Sequence, residues 1–600
     1  MSAVAAAPAH GEAPPSYSVL PQVAPFLGVL AVAITLPFIS NDYWILIGTR
    51  AAIYWVLVSG LNLVVGFAGH LAIGYVALLA LGAYSTSVLV AGNVLPPLPV
   101  FGALPIAAIV GAVFGVIVGL PALRLRTFYF AMSTLGFATI VTQIALAWQS
   151  VTGGGIGIAG PEFPEPFNTA QGFYYLCIAF AVAATCLTAN IAHSRFGRGL
   201  IAIRDAEVAA EASGISKPRV LVAIFVLAGA LAAIAGGLFA SLQTYITPDA
   251  FTFDLSVLFF IAILLGGRGS ILGPLLATII LTILPEFAAP LAAWSTFLYA
   301  VLLLVIVLAM PGGIAALLDF RNRRPLATHR TILPNPAALG GVMRKTIGQR
   351  TLSLRGITLS FGSVQAIAGL DLDVHPAKIH GLIGPNGSGK TTTLNVISGY
   401  YSANAGTMNL GADVLPPGRP VLRAGKGIAR TFQTPRLIGE ATVLQNVMIG
   451  GTIEGQATFA ETLLSLPRNR RDERRLATKA VDMLGIVGGM AALAEVRADR
   501  LQHSELRFIE IARALMLDPD FLLLDEPAAG LSGDEIDRLA ALIRAISGFG
   551  TGVLLVEHHA DLIFAICDEV TVLNLGRVLA AGTPDEIRSH KDVVSAYLGA

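Results

Sequence analysis

Six hundred residues could supply about four domains of average size. A set of ordinary soluble domains is excluded, because 55% of the residues are hydrophobic, only 13% are charged and the mean hydropathy is +0.72. The net charge of +1 averages two unlike halves, since residues 1–319 hold few Lys or Arg and residues 320–600 hold most of them; this balance implies no nucleic-acid partner.

Met1 to Tyr17 is rich in Ala and Pro and lacks the basic residues that open a signal peptide, so a disordered cytosolic tail is expected over 1–17. Apolar stretches of spanning length, about 20 helical residues each, follow near 19–40, 43–66, 70–92, 99–122, 127–149, 172–193, 218–245, 253–267, 270–288 and 293–316. They predict a membrane domain of about ten spans over 18–319. Positive charge agrees with that count, because short cytoplasmic loops are enriched in Lys and Arg. With ten spans and an inside N-terminus, Arg124, Arg126, Arg195, Arg198, Arg204, Lys217, Arg219, Arg268, Arg321, Arg323 and Arg324 all fall on the cytoplasmic side, while loops 93–99 and 247–254 opposite carry neither residue type. Arg50 is the exception. It lies inside the second span near its outer end, where it either serves function or snorkels to the interface.

The charged loop 195–219 contains a helix-like stretch, Gly199 to Ser213, with Leu200, Ile203, Val208 and Ala212 on one side and Asp205, Glu207 and Glu211 on the other. Two readings stand: a surface helix against the membrane, or a docking helix that carries motion into the membrane half. The outer loop Thr152 to Gly157 is either a carboxylate-receiving set of backbone N–H groups or a flexible connector. Cys177, Cys186 and Cys567 are too few and scattered for a disulfide framework or metal site and are expected as buried fillers. Residues 320–348, with Arg321, Arg323, Arg324, Pro325, Pro334, Pro336 and Lys345, read as a basic linker against anionic lipid headgroups.

The second half, 349–600, turns on Gly384, Pro385, Asn386, Gly387, Ser388, Gly389, Lys390 and Thr391. An apolar strand-like run precedes them and a helix-like run opening at Thr392 follows. Glycines let consecutive N–H groups turn around an anion, and the helix points its positive end at the same place. Lys390 would reach the terminal phosphates of a nucleotide and the Thr391 hydroxyl would hold Mg²⁺. Downstream, Phe521 to Pro527 and Val553 to His558 read as buried parallel strands with polar residues at their C-terminal ends. There Asp525 would hold Mg²⁺ through water, Glu526 would take a proton from attacking water, and His558 would stabilise charge on the γ-phosphate. The predicted fold is a polytopic α-helical membrane domain followed by an α/β P-loop ATPase domain.

At these residues the second half resembles an ABC-transporter ATPase: an aromatic A-loop at Phe361, Walker A at Gly384 to Thr391, a Q-loop at Gln433, Walker B at Asp525 and Glu526, and an H-loop at His558. Ala429-Arg430-Thr431-Phe432-Gln433, Glu526-Pro527-Ala528-Ala529-Gly530-Leu531 and Ala596-Tyr597-Leu598-Gly599 are similar to an ATPase subunit of branched-chain amino acid importers. The first half resembles a permease of the same system, through Gly60-Leu61-Asn62-Leu63 with Gly66-Phe67-Ala68-Gly69, Leu123-Arg124-Leu125-Arg126, Thr152-Gly153-Gly154 and Arg198 to Gly214. The chain looks like the two subunits fused.

The resemblance implies ATP and Mg²⁺ as cofactors, with Gln433 near both, and Arg204, Asp205, Glu207, Ala209 and Glu211 on a helix that couples permease to ATPase. It implies a second permease and a second ATPase, a periplasmic solute-binding protein, and a multi-pass place in a bacterial inner membrane with the ATPase in the cytoplasm. The substrate implied is a small polar solute, most simply a branched-chain or other amino acid, with urea, amides and small carboxylates as alternatives and an ATP-binding sensor as a reading of another class. One stretch departs from the family. Where the signature normally reads close to Leu-Ser-Gly-Gly-Gln or Leu-Ala-Tyr-Gly-Gln, this chain has Leu501, Gln502, His503, Ser504 and Glu505. Glu505 is expected to bring a carboxylate toward the anion held by an opposing ATPase, which predicts an asymmetric ATPase pair. Ser532 stands where an acidic D-loop residue is common.

Overall fold

The computed structural model describes residues 20–125, 127–287, 312–318, 332–343 and 350–597, with isolated positions between 294 and 308. The expected tail 1–17, Arg126, most of the tenth span, Arg321, Arg323, Arg324, Lys345 and Leu598-Gly599 lie outside the described residues. The chain divides into two units. One comprises Met1–Gly66, His70–Thr188 and Phe225–Leu318; the other comprises Phe67–Gly69, Ala189–Ile224 and Asp319–Ala600.

The first unit is helical: α1 (Leu20–Ile39), α2 (Asp42–Asn62), α3 (Val76–Ala91), α4 (Val100–Ala122), α5 (Thr127–Ala147), most of α6 (Ala170–Ala192), and, after α7 (Arg195–Ala212) in the other unit, most of α8 (Lys217–Leu242), α9 (Phe253–Gly266) and α10 (Leu272–Phe287). Nine of the ten expected spans thus have a helix at their place; among the described residues, six helices are long and apolar enough to cross a membrane. The third is shorter than expected, since residues 70–75 precede α3 as irregular chain and a turn. Helices suit this sequence because a segment in lipid must satisfy its own N–H and C=O groups.

Small residues set how closely these helices pack. A Cβ on Gly229 of α8 would overlap the Gly111 carbonyl of α4, one on Gly82 of α3 would overlap the Ala233 backbone, and one on Gly236 would overlap the Leu79 carbonyl. Helix α2 is almost wholly buried and ends in a single π turn, Leu63–Phe67, while α5 and α6 leave a broad side exposed. Cys186 lies on that side of α6 and is exposed, which corrects the expectation of three buried cysteines; Cys177 and Cys567 are buried. Arg50 faces Glu286 of α10 at 3.7 Å, and Tyr43 donates to the same carboxylate. The turn Thr152 to Gly157 is neither a free N–H cradle nor a loose connector: the Gly153 N–H bonds the Gln149 carbonyl (3.1 Å), the Gly154 N–H bonds Thr152 Oγ1 (3.3 Å), and Ile158–Ala159 beyond it pairs with Tyr245–Ile246.

In the second unit two sheets pack through an apolar layer. Strands β1 (Leu352–Phe361), β2 (Val364–Val374), β4 (Ala405–Leu410) and β5 (Asp413–Val414) form an antiparallel sheet in the order β2-β1-β4-β5. Strands β3 (Ile379–Ile383), β6 (Ile428–Arg430), β7 (Phe521–Asp525), β8 (Gly552–Val556), β9 (Glu569–Asn574) and β10 (Arg577–Gly582) form the other, in the order β10-β9-β3-β8-β7-β6 and parallel except at β10. Every residue of β3, β7 and β8 is buried, as continuous apolar runs in a covered parallel sheet require. Helix α11 (Lys390–Ile397) follows β3; between β6 and β7 the chain makes a helical excursion with α12 (Val443–Gly450), α13 (Pro467–Gly488) and α14 (His503–Leu515); α15 (Gly533–Gly548) follows β7. The described part of the expected linker packs on this unit, where Ile332, Leu339 and Met343 join its core and the Leu333 and Asn335 N–H groups bond the Gly488 and Ile486 carbonyls at the end of α13.

Candidate nucleotide-binding site

Strand β3 runs into the glycine loop, and the helix Lys390–Ile397 leaves it. Gly384, Gly387 and Gly389 have φ of 151°, 80° and 105°, a region that favours glycine, and Gly389 is the N-cap of the helix without any side-chain cap. The first N–H groups of that helix are therefore left for an anion. Lys390 Nζ donates to the Gly384 (2.8 Å) and Pro385 (3.0 Å) carbonyls, and burial lowers its pKa against the pull of Glu526 and Asp525. The Ser388 hydroxyl is buried and finds no hydrogen-bond partner among the described residues. Asn386, Gly387 and Thr391 are exposed beside it, and Thr392 is half-buried.

Strands β7 and β8 end side by side, with Asp525 opposite Val556. Glu526 follows with φ of 48°, a conformation uncommon outside glycine, held by its N–H bond to the Val556 carbonyl at 2.8 Å. Its carboxylate meets His558 Nε2 on Oε1 (2.9 Å) and accepts from Gln433 Nε2 on Oε2 (2.9 Å). Two other expected site residues thus converge on the Glu526 carboxylate. Asp525 is buried, accepts from Arg430 Nη2 at 3.1 Å on one oxygen, and finds no partner for the other among the described residues; burial raises its pKa against Arg430. An orphaned carboxylate oxygen is the donor chemistry that suits a hard divalent cation such as Mg²⁺. Phe361, at the end of β1, is exposed and meets the Tyr401 ring edge-on at 5.1 Å.

Family models match both halves of the chain: the branched-chain amino acid transport system permease component over residues 44–310, the ABC transporter ATPase over 367–529, and a branched-chain amino acid ATP-binding cassette transporter segment over 577–600. The high-affinity branched-chain amino acid transport ATP-binding protein BraF of Pseudomonas aeruginosa is 39% identical over 251 residues, covering 41% of this chain and 97% of BraF. The chain belongs to the branched-chain amino acid ABC transporter family. LivG of Escherichia coli K12, with the same descriptive name as BraF, is 37% identical over 256 residues, 42% of this chain and 99% of LivG. A solved nucleotide-free ATP-binding cassette from an ABC transporter is 28% identical, covering 42% of this chain and 100% of that one, with a TM-score of 0.37. This member of the family is a fused permease and ATPase, a multi-pass membrane protein with a cytoplasmic ATPase domain that binds ATP.

The stretch Leu501 to Glu505, expected from the sequence as an altered signature, leads into the start of α14. Gln502 is its N-cap, and a reciprocal capping box joins Gln502 and Glu505: the Gln502 side chain accepts from the Glu505 N–H, and Glu505 Oε2 accepts from the Gln502 N–H at 3.0 Å. Glu505 is buried and turned back on its own helix, where the sequence alone suggested a carboxylate aimed outward. His503 lies against Gly530, and Ser532 caps α15 by another such box with Glu535.

Helix α7 (Arg195–Ala212) starts four residues earlier than expected and is kinked at Ala206, where φ is −147° and ψ is 59°. Ala206 and Ala209 form a small buried cluster with Phe432, the neighbour of Gln433, and Val208 and Ala212 pack at its edge. Arg204 pairs with Asp205 (2.7 Å) and Glu440 (2.9 Å), and Glu207 pairs with Lys217 at 2.6 Å. Burial and the neighbouring Glu207 raise the pKa of Glu211, with Lys217 opposing.

Several residues of the site had no role assigned to them from the sequence. Arg430 also bonds Asn395 (2.6 Å) and Ser398 (2.9 Å) beyond the phosphate loop. Glu557, buried at the end of β8, accepts from the Ala528 N–H (2.6 Å) and the His558 N–H (3.0 Å), tying both strand ends together. Arg507, Glu510 and Arg513 on α14 hold the segment after Arg430: Arg507 donates to the Phe432 carbonyl (2.9 Å) and Glu510 accepts from the Arg436 N–H (3.0 Å). The available signal was a row of charges at every third position of an otherwise buried helix face.

Proposed function

We infer that this chain is the permease and ATPase half of an ATP-driven importer of a small polar solute, most simply a branched-chain or other amino acid. The observation that carries the reading is the joint presence of the branched-chain permease and its ATPase in one chain. The relatives BraF and LivG are named for branched-chain amino acid transport, which supports the substrate class. The family resemblance supports a periplasmic solute-binding protein, a second permease and a second ATPase as partners, and a bacterial inner membrane as the location.

In this proposal Phe361 stacks on the adenine, the N–H groups from Gly384 to Thr392 and the Lys390 ammonium hold the phosphates, and Ser388 supplies a further hydroxyl. Mg²⁺, held by Thr391, Gln433 and Asp525, would neutralise phosphate charge when bound. Glu526 accepts the proton of the attacking water, Gln433 sets the direction of its carboxylate, and His558 donates toward developing charge. Glu557 keeps Glu526 and His558 at one separation by holding the two strand ends.

The self-capped start of α14 favours a partner ATPase that differs from this chain. An ABC site is completed by the signature of the opposing ATPase, and here that helix start gives the Gln502 and Glu505 N–H groups to its own side chains. Uptake into proteoliposomes tests the whole reading. With ATP on the ATPase side and liganded binding protein on the other, a labelled branched-chain amino acid should accumulate on the ATPase side. Accumulation of urea, an amide or a carboxylate instead would reassign the substrate, and ATP binding with neither turnover nor flux would favour the sensor.

A further inference from the structure

The segment Ala189–Ile224 belongs by sequence to the permease but by packing to the ATPase unit, and beside its contacts with Glu440 and Phe432 it makes a separate attachment at the first turn of α7. Arg198 is buried and grips Glu473 of α13 through two bonds, Nη1 to Oε2 at 2.7 Å and Nη2 to Oε1 at 3.2 Å. The Arg195 N–H donates to the same carboxylate at 2.8 Å. The Arg195 guanidinium donates to the carbonyls of Thr452 (3.2 Å), Gly455 and Ala457. That carbonyl row is itself shaped by the neighbouring acid, since Asp472 accepts from the Gln456 (2.7 Å) and Ala457 (2.8 Å) N–H groups. Phe196 meets Phe459 edge-on at 5.2 Å, and Asn190 donates to the Leu463 carbonyl at 2.9 Å.

We propose that residues 451–473 are a charge-coded socket for Arg195 and Arg198, by which the ATPase holds the loop of its own permease in one register. Planar guanidinium groups against a carboxylate and a fixed row of carbonyls select arginine and that register. A buried charge deprived of its partner is unfavourable, so a permease loop lacking either arginine is rejected rather than merely bound less well. The socket separates attachment from signalling along one helix: α7 is fixed at Arg195 and Arg198, kinked at Ala206, and meets Phe432 beyond the kink. Movement of the segment around Gln433 then turns the far half of α7 about a fixed end. Covalent fusion favours the chain's own socket, because tethering raises the local concentration to about the millimolar range.

The proposal rests on the transporter reading for one of its two readouts only. In the assembled full-length complex, Arg198→Glu and Glu473→Arg should each lower solute-stimulated ATP hydrolysis about tenfold or more. The double variant Arg198→Glu/Glu473→Arg should regain much of it. Independently of activity, Phe196→Cys/Phe459→Cys in a Cys186→Ser background should cross-link within one chain, giving a product of unchanged mass on denaturing gels. Unaffected single variants, a double variant no better than either single, or a cross-linked product of twice the chain mass would each overturn the proposal. If the single variants prevent assembly, the cross-link alone decides it.

Discussion

Two helices of the ATPase unit begin in opposite ways. The helix Lys390–Ile397 follows Gly389 at φ of 105° and has no side-chain cap, whereas α14 follows Gln502 and closes a capping box with Glu505. Both ends carry the same unsatisfied N–H groups and the same partial positive charge. The first leaves them for phosphate; the second satisfies two of them, those of Gln502 and Glu505, with its own side chains. A helix N-terminus therefore becomes an anion site only where the sequence withholds a cap.

The largest effect expected concerns the site that the open helix serves. Glu526→Gln should lower hydrolysis by about 10² to 10⁴-fold while nucleotide affinity, read with a fluorescent ATP analogue, stays unchanged. A parallel loss of affinity would mean that the loop and the strand ends do not act as separate parts. Next comes the support beneath the loop. Arg430→Met leaves Asp525 buried without its cation and should destabilise the chain by about 3–5 kcal/mol, measured by chemical denaturation of the solubilised protein followed by circular dichroism.

A third prediction uses pH. His380 in β3 is buried, bonded to Thr571 at 2.9 Å, and burial pushes its pKa down to about 4. The unfolded state, with an ordinary imidazole near 6.5, binds the proton first, so stability present above pH 6.5 should fall as pH drops toward 4, by at most about 3 kcal/mol. His380→Gln should flatten that slope in the same denaturation assay. The smallest effect is at the closed helix start: Glu505→Ala removes one half of the capping box and should cost about 1 kcal/mol, with no loss of nucleotide affinity at the chain's own phosphate loop.

The open helix start was legible in the sequence because its requirement is local. Glycines at fixed spacing, then Lys and Thr, between an apolar strand and a helix, specify the backbone by themselves. The buried strands ending at Asp525 and before His558 were legible for the same reason. Their supports were not, because each joins residues remote in the chain: Arg430 to Asp525 across 95 positions and Arg198 to Glu473 across 275. Glu505 was misjudged in direction, since its identity says nothing of whether the carboxylate turns outward or back to Gln502. Cys186 was misjudged because an apolar helix of even hydrophobicity does not declare which side meets its neighbours. Glu286, the partner of Arg50, was overlooked at the end of a span whose composition dominates any reading of it.

The most direct test is ATP hydrolysis by the reconstituted complex with its binding protein, with a second ATPase carrying an unaltered signature either supplied or omitted. The account predicts turnover stimulated by liganded binding protein when that ATPase is present, and little turnover from a verified homodimer of this chain. Full turnover by the homodimer would contradict the contrast between the two helix starts, and absence of stimulated turnover in either composition would contradict the importer itself.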